Sequence, residues 1–181
     1  MQSRRLFVGS FIDTDRLKKN YSKVKRELGG SITGRWVPFE NLHITYKFLG
    51  NVDESQINPI KQALDKFIDK TVQCDLTVSG IGAFPNVNNP KVVYLKVEEK
   101  TGVLEEIYQY VQFKLKFLGF EPDDRKFVPH ITIKRPKSVN GNEFIEKVEK
   151  LADTVFTEIS EIEINLIESI LSPNGATYKK V

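Results

Sequence analysis

The chain has two histidines, and both begin the same short pattern. Residues 43–47 read His-Ile-Thr-Tyr-Lys, and residues 130–134 read His-Ile-Thr-Ile-Lys. Side chains alternate between the two faces of a strand, so the His, Thr and Lys of each pattern are predicted to share one face. Each pattern therefore presents an imidazole, a hydroxyl and an ammonium group in a row.

Paired imidazoles favour acid–base chemistry. A lone histidine on an apolar strand is more often structural, but core packing does not require the same His-x-Thr pattern twice. Near neutral pH one imidazole can accept a proton from water while the other donates a proton to a leaving oxygen. Hydroxyl groups suit the oxygens of a phosphate whose charge rises during attack. These side chains match metal-free phosphodiester cleavage, because two histidines are too few ligands for a zinc site. A metal site completed by a third ligand from elsewhere in the fold is the alternative.

Both patterns, extended to residues 41–50 and 128–135, resemble the paired motifs of the two-histidine (2H) phosphoesterases. The closest resemblance is to the RNA 2′,3′-cyclic phosphodiesterase family, whose members are also called 2′-5′ RNA ligases. Three further stretches are similar to that family in the same order, namely its first strand, central loop and closing hairpin at residues 4–8, 82–85 and 168–178. The resemblance therefore covers the whole chain.

The resemblance implies an α+β fold in which two pseudo-symmetric lobes of antiparallel sheet, with helices outside, surround a central catalytic cleft. It implies hydrolysis of RNA 2′,3′-cyclic phosphate ends to a 2′-phosphate, with no cofactor and no metal. His43 and His130 match the catalytic histidines, while Thr45, Thr132 and Arg135 match residues that hold the phosphate. Following the family, we expect His43 to protonate the departing O3′ and His130 to activate water, although the sequence itself is symmetric on this point.

Arg135, Lys134 and Lys47 are cationic residues near the two patterns, and the patterns alone do not place them in the site. Strict alternation places Arg135 on the face opposite His130, unless the chain bends before Pro136. The family often has a small or apolar residue where Lys134 stands. A lysine at a strand end is more often a solvated charge, so Lys47 and Lys134 are left outside the predicted site.

Recognition of an RNA end calls for aromatic surfaces near the cleft. Phe84 lies in a predicted loop over residues 82–90 and is a candidate RNA contact, with simple anchoring of the loop as an equal alternative. Trp36 is a further candidate. Phe48 shares its predicted face with the core residues Leu42 and Ile44, so we expect it to pack inside.

Apolar spacing and turn residues divide the remaining chain into strands and helices. Strands are predicted over residues 6–12, 71–81, 92–97, 161–169 and 177–181, with shorter extended pieces at 32–37 and 154–159. Helices are predicted before Gly29, over residues 57–68, from Thr101 to about Phe117, and from residues 140–142 onward. Each half of the chain thus contains a helix, a His-x-Thr strand and another helix.

Composition sets outer limits on what the chain can be. Its 181 residues fit one domain, residues 1–181, made of two related lobes. Net charge +3 permits an anionic partner without requiring one, and the single Cys74 excludes a disulfide framework. We expect no membrane segment, because long apolar runs are absent, and no secretion signal at Met1 to Arg5, which favours the cytoplasm. We expect a monomer.

Three other functions remain open from the sequence. The same site run backwards would join a cyclic phosphate to a 5′-hydroxyl group as a 2′-5′ linkage. A non-catalytic RNA-end binding protein could use the same fold, although both His-x-Thr patterns are intact. A phosphodiesterase acting on small nucleotides, such as ADP-ribose cyclic phosphates or 2′-5′ oligonucleotides, is the third alternative.

Overall fold

Strands dominate the computed structural model, which describes residues 3–173 and 175–181. Asn174, in the turn predicted over residues 172–176, and the first two residues lie outside the described residues. The strands are β1 (Ser3–Phe11), β2 (His43–Asp53), β3 (Lys70–Phe84), β4 (Val92–Glu99), β5 (His130–Lys134), β6 (Val155–Ser172) and β7 (Gly175–Lys180). They form one sheet in the order β1-β2-β5-β4-β3-β6-β7, which closes on itself because β1 also pairs with β6. Every pairing between these strands is antiparallel.

Strand β6 divides the sheet into two similar lobes. Its first part pairs with β3, and its last part lies between β1 and β7. One lobe therefore has the order β7-β6-β1-β2, and the other has the order β6-β3-β4-β5. The lobes also meet where β2 pairs with β5, at Ile44 and Ile131. This arrangement confirms the predicted α+β fold of two antiparallel lobes. Assignment of residues 1–181 to a single domain stays a prediction.

Helices cover the outer faces of the lobes. They are α1 (Asp15–Leu28), α2 (Glu54–Ala63), α3 (Val103–Lys116) and α4 (Gly141–Lys150), with a short 3₁₀ helix at Phe39–Asn41. α1 packs against β6 and α4, and α3 packs against β2 and α2. The predicted stripe of α1 is buried, and Leu17 and Leu28 are fully inaccessible. Burial of each such leucine contributes about 1.5–3 kcal/mol.

Helix starts follow the predicted capping residues. The Thr14 hydroxyl accepts a hydrogen bond from the Leu17 amide, and the Asp53 carboxylate accepts one from Ser55. α2 ends earlier than predicted, at Ala63, because the next residues form tighter turns that lead to Asp69 at φ 56°. Phe67 and Ile68 remain buried in these turns. Among the described residues no helix is long and apolar enough to span a membrane.

Two strands are longer than the sequence predicts. The pieces predicted at 154–159 and 161–169 form the single 18-residue strand β6. The alternation of side chains is interrupted near Ser160, and the strand continues because its pairing with β3 shifts register there. β3 continues through Phe84, where a loop is predicted, because residues 81–84 pair with β4. Phe84 thus belongs to the sheet, at the edge of the cleft described below.

Candidate active site

A β-bulge follows Thr in each His-x-Thr strand. Between β1 and β2, Gly9 pairs with Thr45 and Val8 pairs with Lys47, so Tyr46 is an extra residue. Between β4 and β5, Tyr94 pairs with Thr132 and Val93 with Lys134, so Ile133 is the extra residue. A bulge inserts one residue on one side of the ladder and reverses the alternation beyond it. Residues after each bulge therefore change face.

The first consequence concerns Lys47, whose prediction as a solvated charge is wrong. Its side chain is buried on the helix side of β2. Its ammonium group donates to Gln112 Oε1 at 2.8 Å and to the Glu121 carbonyl at 2.7 Å, and lies 3.2 Å from Asp123 Oδ1. Because Glu121 and Asp123 lie in the loop that leads into β5, this network ties one histidine strand to the approach of the other.

Lys134 is also buried, so its prediction as a solvated charge is wrong too. Its ammonium nitrogen lies 3.9 Å from the centre of the Trp36 ring. This cation–π contact holds the Trp36 ring on the core side of β5. The Trp36 ring therefore packs against the buried Tyr21 and against the strand that carries His130.

Arg135 and Phe48 change face in the opposite direction. Each follows the buried lysine of its strand. Each is exposed on the face that carries the histidine and threonine side chains, which we call the cleft face. The charge of Arg135 lowers the pKa of His130 and opposes the rise in the pKa of Tyr178, which places its guanidinium near both rings. Because of the bulge, Arg135 lies on the same face as His130, whereas strict alternation would place it on the opposite face. The prediction that Phe48 packs in the core is wrong, since the side chain is 63% exposed.

Both histidines are oriented by the same local contact. Nδ1 of His43 lies 2.6 Å from the carbonyl of Asn41, and Nδ1 of His130 lies 2.7 Å from that of Val128. A carbonyl oxygen only accepts, so each Nδ1 carries a hydrogen and donates it. No hydrogen bond to either Nε2 is present within residues 3–173 and 175–181. Each ring therefore offers Nε2 as a base when neutral and as an acid when protonated.

The register of β2 and β5 brings the two patterns together. Ile44 pairs with Ile131, so the neighbouring positions of an antiparallel ladder set His43 beside Thr132 and Thr45 beside His130. All four side chains lie on the cleft face and are half-buried. The charge on His130 contributes to the lowered pKa of His43, as expected of two neighbouring imidazoles.

Aromatic rings pack around both imidazoles. The His43 ring contacts Phe7 at a centroid distance of 4.8 Å and Tyr178, in a T-shaped arrangement, at 5.0 Å. The His130 ring contacts Phe84 at 5.0 Å and Tyr94 at 5.1 Å. Tyr94 and Tyr178 are absent from the sequence prediction, because nothing in their own strands marks them. Tyr94 lies opposite Thr132 and Tyr178 lies above His43, and both positions follow only from the pairing register of the strands.

Asn41 fixes the Tyr178 strand to the histidine strand. Its side-chain amide donates to the Ala176 carbonyl at 2.7 Å, while its own carbonyl accepts from His43. One buried residue thus orients an imidazole and also positions the hairpin that covers it. Burial raises the pKa of Tyr178, and nearby Arg135 and Arg5 oppose that rise. The phenol remains a hydrogen-bond donor at neutral pH.

Burial lowers the pKa of both histidines below 6.5. For His43, removal from water acts most strongly, the bond to Asn41 opposes it, and His130 adds to it. For His130, removal from water again acts most strongly, the bond to Val128 opposes it, and Arg135 adds to it. Within the described residues no three histidine, cysteine or carboxylate side chains converge as a metal site would require.

Comparison with known proteins places the chain in a family. A family model described as LigT like phosphoesterase matches residues 12–94 and again residues 95–178, and each match contains one His-x-Thr pattern. The chain therefore belongs to the LigT-like phosphoesterases, which confirms the resemblance to the 2H enzymes. The protein is accordingly a phosphoesterase.

Individual relatives cover nearly the whole chain. A protein of Archaeoglobus fulgidus named RNA 2′,3′-cyclic phosphodiesterase is 36% identical over 175 residues, which is 97% of this chain and 96% of the relative. A protein of Aquifex aeolicus with the same name is 31% identical, over 100% and 96% of the two chains. Solved structures of the same fold include TT0787 of Thermus thermophilus, with TM-score 0.74, 24% identity and coverage of 98% and 94%. LigT of E. coli complexed with 3′-AMP has TM-score 0.76, 18% identity and coverage of 99% and 96%.

Substitution of Gly82 by alanine is expected to disturb the His130 half of the cleft. A Cβ atom at Gly82 would lie 2.4 Å from two ring atoms of Tyr94, and that ring is held between Phe84 and His130. We expect a loss of about 1–3 kcal/mol in the free energy of unfolding. We also expect a fall in kcat/KM of up to about 10²-fold, because Tyr94, which contacts the His130 ring, must move. Urea unfolding and steady-state kinetics measure both changes.

Gly141→Ala is the matched control for this substitution. A Cβ atom there meets nothing within 4 Å, and Gly141 begins α4, where alanine is a good helix former. We expect unchanged activity and equal or greater stability. Equal behaviour of the two variants would contradict the role assigned to the Tyr94 contact.

Proposed function

We propose that the protein hydrolyses RNA 2′,3′-cyclic phosphate ends to 2′-phosphate ends by acid–base catalysis with two histidines. One observation carries this proposal. Two imidazoles on neighbouring strands each have Nδ1 fixed by a carbonyl and Nε2 left for the substrate. The names of the relatives support an RNA cyclic phosphate as the substrate.

In this mechanism water attacks phosphorus while the bond from phosphorus to O3′ breaks. Neutral His130 accepts the proton of the attacking water at Nε2, and protonated His43 donates its Nε2 proton to the departing O3′. The products are a 2′-phosphate and a free 3′-hydroxyl group. Proton exchange with solvent then restores both histidines. Thr45, Thr132 and Arg135 stabilise the charge that develops on the phosphate oxygens.

The position of Arg135 supports the assignment of His130 as the base. A permanent positive charge near His130 disfavours its protonated form, which suits a group that must be neutral to accept a proton. The pKa of His43 is lowered as well, first by burial and then by the charge of His130, so the assignment of His43 as the general acid follows the family pattern.

The pH dependence of kcat/KM follows from the same groups. One histidine must be neutral and the other protonated in the free enzyme, so kcat/KM is expected to peak midway between their pKa values. Because both pKa values lie below 6.5, we expect the maximum below pH 6.5. A pH profile measured with a cyclic-phosphate substrate tests this, and a maximum above pH 7 would contradict it.

The competing activities are separated by one incubation. RNA with a 2′,3′-cyclic phosphate end is mixed with an RNA acceptor carrying a 5′-hydroxyl group, with and without EDTA. We expect hydrolysis to exceed ligation, because water is far more abundant than RNA ends, and we expect EDTA to have no effect. Ligated product in excess would favour the ligase, inhibition by EDTA would favour a metal, and binding without turnover would favour an RNA-end binding protein. The monomeric state and the cytoplasmic location stay predictions.

A further inference from the structure

Two arginines lie near the phenol of Tyr178. Arg135 and Arg5 both oppose the rise in its pKa, so each guanidinium is close to that ring. In the proposed mechanism Arg135 stabilises the reacting phosphate, whereas Arg5 takes no part. The half of the cleft that contains His43 therefore has a second cation without an assigned ligand.

The register of β1, β6 and β7 places Arg5 and Tyr178 in one row of the sheet. Leu6 and Lys179 pair with the same residue of β6, from its two sides. β1 and β7 run in the same direction, since both are antiparallel to β6, so the preceding residues Arg5 and Tyr178 also share a row. Their backbones are separated by two strand spacings, about 9–10 Å, which the two long side chains can span.

Arg5 shares a face of β1 with Phe7. The bulge at this point places its extra residue in β2, so alternation along β1 is undisturbed. The Phe7 ring contacts His43 at a centroid distance of 4.8 Å and Tyr178 at 5.2 Å. Arg5 is exposed, and it therefore lies at the rim of the cleft beside the rings that surround His43.

The charge of Arg5 is available to a ligand, whereas that of its neighbour is not. Arg4, on the opposite face of β1, lies 3.0 Å from Glu54 Oε1 and 3.7 Å from Glu168 Oε2. Arg5 forms no ion pair with any carboxylate of residues 3–173 and 175–181. A guanidinium group presents a planar pair of donors that matches two oxygens of a phosphate.

In-line attack determines the side of phosphorus on which the RNA strand lies. The attacking water and the departing O3′ are on opposite sides of phosphorus. His130 activates the water and His43 protonates O3′, so the ribose of the terminal nucleotide is on the side of His43. The phosphate that links this ribose to the preceding nucleotide therefore lies in the half of the cleft that contains Phe7, Tyr178 and Arg5.

We propose that Arg5 binds the phosphate that links the terminal nucleotide to the rest of the RNA, while Arg135 binds the cyclic phosphate. The proposal rests on the proposed function and extends it, because it makes the protein favour an RNA end over a free cyclic mononucleotide. A nucleoside 2′,3′-cyclic phosphate has one phosphate and leaves Arg5 without a ligand. A terminal nucleotide of RNA has two phosphates, one for each arginine.

The test compares two dinucleotides that end in adenosine 2′,3′-cyclic phosphate. One has a phosphodiester linkage, and the other has an uncharged methylphosphonate linkage. In the unaltered protein we expect the charged linkage to raise kcat/KM by about 5- to 50-fold, as hydrogen bonds to a charged group supply. In Arg5→Ala we expect it to raise kcat/KM by less than about twofold. Arg5→Lys should keep part of the difference, because it preserves the charge without the planar pair of donors.

Arg4→Ala is the matched control, because it removes the same charge from the adjacent position on the opposite face of β1. It should keep the full difference between the two substrates. Equal hydrolysis of both dinucleotides by the unaltered protein would overturn the proposal, and so would an equal loss on both substrates in Arg5→Ala. If the unaltered protein hydrolyses neither dinucleotide, the proposed function itself fails, and that result is distinct from any change confined to Arg5 variants.

Discussion

Replacement of either His43 or His130 by alanine is expected to lower kcat by about 10²- to 10⁴-fold. Each variant removes the only group of its strand that can transfer a proton at the reacting phosphate, since Thr45 and Thr132 offer hydroxyl groups that stay protonated at neutral pH. Binding should change less than turnover, because the threonines and Arg135 remain. Single-turnover kinetics with RNA ended in a 2′,3′-cyclic phosphate separates binding from chemistry.

Two controls keep this prediction interpretable. Both rings are half-buried, so alanine should leave circular dichroism unchanged and thermal unfolding cooperative. The double variant His43→Ala/His130→Ala should be little worse than either single variant, because acid and base act in one step and their losses do not add. An active single variant that retains most of its kcat would exclude the two-histidine mechanism.

Arg135→Ala carries the second largest expected effect, a loss in kcat of about 10²- to 10³-fold. The guanidinium is held on the cleft face by the bulge at Ile133, where it can stabilise charge on the phosphate. Its removal should also raise the pKa of His130, because Arg135 is one of the causes that lower it. The acid limb of the kcat/KM profile should therefore move to higher pH. A purely structural role would leave that limb in place.

Arg125→Ala is the control for charge alone. Arg125 is exposed in the loop before β5, so its replacement removes the same charge from a loop while the cleft face is preserved. We expect near-normal kcat and an unchanged pH profile. Arg135→Lys should recover part of the loss, since a lysine keeps the charge without the planar pair of donors. Equal losses in Arg125→Ala and Arg135→Ala would contradict a specific role for Arg135.

The sequence predicts the fold and the centre of the site for a physical reason. Alternation fixes which residues share a face as long as the ladder is regular, and it is regular from His to Thr in both strands. His43, Thr45, His130 and Thr132 were therefore predicted on common faces, and the structure brings them together. The repeated pattern also indicated two lobes, as the order of the strands now shows.

Alternation failed beyond the threonines because a bulge depends on the partner strand. The extra residues Tyr46 and Ile133 are defined by pairing with β1 and β4, which the local sequence does not contain. Lys47 and Phe48 were consequently assigned to the wrong faces. Arg135 required a bend that the sequence only allowed. Tyr94 and Tyr178 were missed for the same reason, since their contacts with the histidines cross between strands.

The most direct test of the central claim is the identity of the product. RNA ended in a 2′,3′-cyclic phosphate is incubated with the protein in EDTA, and the product is followed by ³¹P NMR and by digestion to mononucleotides. A mechanism in which one histidine protonates O3′ while the other activates water predicts a 2′-phosphate as the sole product. A 3′-phosphate, or an equal mixture of both, would contradict the orientation of the nucleotide and the roles assigned to His43 and His130.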